Sequence, residues 1–138
     1  MTPPSRWCAL LHSPFVHWLC LLMLCAAYLQ GGLTKLAGFD GAVAEMRHFG
    51  LSPAGPMAVL VIAGELGASL LVLTGRARWL GAAGLALFTL AATLVANRYW
   101  EMQGMERFMA ANAFYEHLGL AGAFVLVACQ DLDRRQRT

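Results

Sequence analysis

The chain has 138 residues, 59% of them apolar and 13% charged, with a formal net charge of +2. Ordinary globular domains carry about 25% charged and about 45–50% apolar residues, and a domain this short exposes too much surface to hide the excess. These values exclude an ordinary soluble domain, and the absence of any basic run interleaved with aromatics excludes a nucleic-acid partner; one integral-membrane domain over residues 1–138 is expected.

A membrane-spanning helix needs about 20 predominantly apolar residues. The first such stretch is "PFVHWLCLLMLCAAYLQGGLTKL", residues 14–36, uncharged until Lys35. It does not read as a cleaved signal sequence, because "YLQGGLTK" offers no small-residue cleavage site and leucine precedes Cys25. Residues 37–54 form a longer loop with room for a short amphipathic helix around Val43–Phe49. The second span, residues 55–75, is interrupted only by Glu65, and "GRAR" at 75–78 is a tight turn into the uncharged third span at 79–97. Residues 98–108 place Tyr99 and Trp100 where an interfacial aromatic belt belongs. The fourth span runs from about Met109 to Cys129, with Glu116 and His117 near its start. Backbone groups in lipid must be satisfied within the segment, so the expected fold class is all-α, a bundle of four transmembrane helices.

Lysine and arginine bias sets the expected orientation. With a cytoplasmic N-terminus the inner side holds Arg6, Arg76, Arg78, Arg134, Arg135 and Arg137, and the outer side Lys35, Arg47, Arg98 and Arg107. Both termini are therefore expected in the cytoplasm. Cys8, Cys20, Cys25 and Cys129 form no C-x-x-C pair and have no metal-type spacing, so they read as small packing residues. Met102, Met105 and Met109 have thioethers suited to Cu(I), yet methionine serves as packing filler more often; no metal site is expected. His12 and His17 read as N-terminal interface residues.

The polar residues fall into stripes. Tyr28, Gly31, Gly32 and Lys35 share a face of the first helix; Thr89, Thr93 and Asn97 share one of the third, with Ala82 and Ala86 extending it. Asn112, Tyr115, Glu116, Gly119 and Ala123 make the corresponding row in the fourth, and Gly64, Ala68 and Ser69 supply small neighbours around Glu65. Such stripes let membrane helices approach closely and hydrogen-bond across the contact. In the chosen topology the polar groups gather in the outer half of the bilayer, with Glu65 about 15 Å deep at 1.5 Å per residue. An acidic residue at a helix centre costs about 2.5–3.5 kcal/mol on insertion scales, so Glu65 needs a partner. Lys35 and Arg98 are the candidates. The reading is an outward-opening pocket floored by Glu65 and bordered by Lys35, Asn97, Arg98, Glu116 and His117. A purely structural hub is the alternative, and an interfacial structural role the alternative for Glu116 and His117.

"GGLTKLAGFDG", residues 31–41, resembles the G-x-x-K-x-x-G-F signature of DoxX-type membrane proteins. "GELGASLLVLTGRARWLGA", residues 64–82, resembles that family's second helix with its acidic residue and short basic turn, and "NRYWEMQG", residues 97–104, is similar to the segment after the third helix in the small YphA-like branch. Many relatives have a Lys-Asn pair where this chain has Glu116 and His117. The resemblance implies a four-helix bacterial inner-membrane protein, often linked to redox systems. The name-giving member is similar to a subunit of a thiosulfate:quinone oxidoreductase, and other relatives are associated with oxidative-stress complexes. No haem, dinucleotide or iron–sulfur motif is present, so a cofactor is not assigned, although a quinone suits the pocket. Three functions stay open: an auxiliary subunit binding a quinone or other lipophilic small molecule; an assembly protein docking a membrane-protein partner or a second copy; and a small-solute pathway. Nothing in the sequence assigns an enzymatic reaction.

Overall fold

The computed structural model describes residues 5–138. Its elements are α1 (Ser5–Leu11), α2 (Pro14–Ala37), α3 (Phe39–His48), α4 (Ala54–Thr74), α5 (Arg78–Ala96), a 3-10 turn at Tyr99–Glu101 and α6 (Gly104–Gln136). The described residues contain no strand, and α2, α4, α5 and α6 are each long and apolar enough to cross a membrane. The fold is the all-α four-helix membrane bundle expected from the sequence.

Local chemistry sets the boundaries. The Ser13 side chain accepts from Val16 N at 3.2 Å and Pro14 occupies the first turn of α2, so the chain enters that helix capped. Gly75 ends α4 in the left-handed region at φ 74°, a conformation glycine adopts without a side-chain penalty. At 33 residues, α6 starts earlier and ends later than its apolar stretch; at 1.5 Å per residue it is about 50 Å long, well beyond a hydrocarbon core of about 30 Å. Its polar ends therefore continue the helix outside the bilayer. The loop helix also begins earlier than expected, at Phe39, and α1 is an additional short element.

α2 packs on α4, α4 on α5, and α5 on α6, while α3 lies chiefly against α4. The core joins Leu21, Cys25 and Tyr28 of α2 to Val72, to Ala82, Leu85 and Ala86 of α5, and to Ala121, Phe124 and Ala128 of α6. Large side chains such as Phe15, Met23, Leu60, Leu87 and Leu126 point outwards, where acyl chains are their solvent. With no hydrophobic drive between helices in lipid, association depends on close van der Waals contact. Gly81 shows the consequence: an added Cβ would lie 2.5 Å from the Ala68 carbonyl oxygen.

The end of the bundle holding the α4–α5 turn is latched by Asp131 of α6. Its Oδ2 accepts from the Trp79 backbone N at 3.0 Å and from Arg135 Nε at 2.9 Å. Arg135 in turn donates to the Gly75 and Arg76 carbonyls, and Arg78 Nε donates to Val72 O at 2.8 Å. α5 has no capping side chain of its own at Ala77, so a carboxylate from another helix does that work. Asp131→Ala is expected to destabilise the protein by about 1–3 kcal/mol, because Trp79 N–H and Arg135 lose their acceptor together. Thermal unfolding in detergent checks it, and an unchanged midpoint would contradict the latch.

Candidate functional site

The site forms where the last turns of α2 meet the middle of α4. Gly32 lets them meet: a Cβ there would lie 2.7 Å from Leu66 Cδ2. Gly31, one residue earlier, faces the charged groups, with its hypothetical Cβ 3.4 Å from Lys35 Nζ and 3.6 Å from both Glu65 oxygens. Lys35 Nζ sits 3.4 Å from each Glu65 carboxylate oxygen. Glu65 is 6% exposed, and the Lys35 side chain 17%. These distances exceed the usual 2.7–3.2 Å of a hydrogen bond to nitrogen, so the contact is an ion pair with slack in it. Ser69 Oγ donates to the Glu65 backbone carbonyl at 2.6 Å, which helps fix the helix beneath the carboxylate.

Beside the pair lies a cavity of about 430 Å³. Ligand sites commonly measure about 300–1,000 Å³ and are mostly apolar with a few placed polar groups. This one follows that pattern: its apolar wall includes Met46, Phe49, Val61, Phe88, Ala92 and Val95, and its polar wall Lys35, Glu65, Tyr28, Thr89, Glu45 and His117. The Thr89 hydroxyl donates to Leu85 O at 2.6 Å, which leaves its oxygen to accept from the Tyr28 hydroxyl. Tyr28 is further fixed by edge-to-face contacts with Phe88 and Phe124. Asn97 Nδ2 lies 3.2 Å from Thr93 Oγ1 and 3.3 Å from His117 Nδ1. An amide nitrogen only donates, so Nδ1 accepts and, in a neutral ring, Nε2 carries the hydrogen.

Of the six residues expected at the pocket, Lys35, Glu65 and His117 line the cavity, and Asn97 adjoins it through His117. Lys35, not Arg98, partners Glu65; Arg98 is exposed and reaches Glu101 at 3.4 Å. Glu116 is also exposed, with Asn112, Tyr115 and Gly119. The inner face of α6 instead runs through Ala110, His117, Ala121, Phe124, Ala128 and Asp131, one position away from the row that sequence suggested. The polar side chains of this row therefore lie on the outer face of α6. Gly64 likewise faces outwards, whereas Ser69 is buried. The short helix expected around Val43–Phe49 was not placed at the pocket, yet Met46 of α3 and Phe49 just after it, with Glu45, close one side of the cavity. Their spacing with Ala42 already marked a buried face.

The family model for DoxX matches residues 19–98, which include α2 from its second turn, α3, α4, α5 and both members of the ion pair. The chain belongs to the DoxX family. This DoxX protein is 29% identical over 109 residues to the inner membrane protein YphA of Escherichia coli (strain K12), an alignment covering 75% of this chain and 78% of that one. No solved structure matches it significantly. With four membrane-crossing helices, the DoxX protein is an integral inner-membrane protein whose environment is the lipid bilayer.

Proposed function

We propose that this DoxX protein is an auxiliary, redox-associated membrane subunit that holds a quinone, or another lipophilic molecule with a polar head, in the cavity between α2, α4 and α5. The observation that supports the reading is the Lys35–Glu65 pair set into the wall of an otherwise apolar space of about 430 Å³. An acyl-soluble ring would fill the apolar part and exchange hydrogen bonds with Lys35 and Glu65, with His117 and the Tyr28–Thr89 pair as further polar contacts. In the orientation that the arginine distribution favours, with both termini cytoplasmic, this pocket lies in the outer half of the bilayer. Native mass spectrometry from nanodiscs tests the proposal: the wild type is expected to retain a quinone, and Glu65→Gln or Lys35→Ala to retain less. Unchanged retention in both variants would defeat it.

A second reading rests on glycines that face open space. Gly64 and Gly67 of α4, and Gly119 and Gly122 of α6, would meet nothing within 4 Å if given a Cβ, so another helix could approach them closely. A stoichiometric membrane-protein partner with no bound small molecule in the same spectra would favour that assembly role.

A further inference from the structure

At the opposite end of the bundle from the cavity, three helices bring basic groups to one shallow cleft. It is lined by His17 from the start of α2, Arg78 at the first position of α5, and Val127, Gln130, Asp131 and Arg134 from the end of α6. The Asp131 carboxylate is already engaged by Trp79 N and Arg135 Nε. Arg134 is exposed, and Arg76 and Arg135 add charge around it, against Asp131 and Asp133. His17 Nε2 is buried without a hydrogen-bond partner, the one such side-chain atom among the described residues. Buried polar atoms in native proteins are normally satisfied, and a ligand seated among these basic groups would give the His17 nitrogen a partner. The lining residues come from the first turns of α2 and α5 and the last third of α6. A topology signal alone needs only charge in the loops; it does not require a histidine and two arginines from separate helices to converge.

We propose that this cleft binds the phosphate of an anionic phospholipid headgroup. The guanidiniums of Arg78 and Arg134 flank the phosphate at the mouth of the cleft, where their planar forks match its oxygens. The His17 ring swings towards it and gains the partner it lacks. The acyl chains then run along the exposed apolar surface that Phe15 and Leu126 help to form. Basic pockets between transmembrane helices are a recurring solution for such headgroups.

The test uses the full chain, delipidated in mild detergent and titrated with phosphatidylglycerol or phosphatidylcholine in mixed micelles. Native mass spectrometry counts bound lipid, and thermal unfolding follows the midpoint. Phosphatidylglycerol is expected to bind preferentially and raise the midpoint. Arg134→Gln is expected to weaken that binding roughly fivefold, the effect of one arginine near a charged surface. Arg137→Gln, on the tail beyond the cleft, should leave it unchanged, and both variants should melt like the wild type without lipid. Equal losses in the two variants would overturn the cleft in favour of diffuse surface charge. No preference for phosphatidylglycerol would overturn the proposal outright. A midpoint raised equally by inorganic phosphate would mark a free-anion site and overturn the lipid assignment.

Discussion

Replacing Lys35 with alanine is expected to destabilise the protein by about 3–5 kcal/mol, because it leaves the Glu65 carboxylate buried without its cation. Glu65 is 6% exposed, and Lys35 Nζ is the cationic group paired with it, at 3.4 Å. Glu65→Leu should cost similarly, since it strands the lysine. Removing both charges is different. A buried pair gains little beyond the desolvation it suffers, so Lys35→Met with Glu65→Leu should recover most of the loss and approach wild-type stability. Unfolding midpoints for the two single variants and the double variant close the cycle. Strictly additive losses would show that the two side chains do not interact.

The second large effect is expected at Gly81. An alanine there would put its Cβ 2.5 Å from the Ala68 carbonyl oxygen, 2.9 Å from Leu71 Cβ and 3.1 Å from Val72 Cγ2. The nearest of these atoms is backbone, so no side-chain rotation relieves the contact, and α4 and α5 must separate. Overpacking of this kind costs about 1–3 kcal/mol and occasionally more. Gly84, one turn along the same helix, is the control: its Cβ would first meet Ala68 Cβ at 4.0 Å. Gly84→Ala should be neutral or slightly stabilising, since alanine is the better helix former by about 1 kcal/mol. Equal melting of Gly81→Ala and the wild type would mean that the α4–α5 contact is looser than described.

The difference between these helices also explains what sequence alone could reveal. In α5 the polar residues Thr89 and Thr93 recur on one face of an apolar helix, and both are buried. In α2 Tyr28 and Lys35 lie inside or half inside the bundle, while Gln30 and Thr34 face outwards and bond each other. In α6 the same logic did not place Glu116, which lies on the exposed face of the helix beside the inward-facing His117. Its inner face is written in alanine and phenylalanine, which do not stand out in a membrane sequence. The choice of Lys35 over Arg98 depended on which helices are neighbours: α4 touches α2 directly, whereas Arg98 lies in the loop after α5 and finds Glu101 first. Asp131 was hidden for a related reason. It reads as part of a polar tail, and only the fold brings it under the N-terminus of α5.

The most direct test of the central claim is ligand retention in the Lys35→Met, Glu65→Leu double variant, reconstituted in nanodiscs beside the wild type. This variant separates recognition from folding, because its stability is expected to be close to normal. If the pair holds the polar head of a lipophilic guest, the wild type carries that molecule through native mass spectrometry and the double variant arrives empty. A double variant that is folded and still carries the same molecule at the same occupancy would contradict the account.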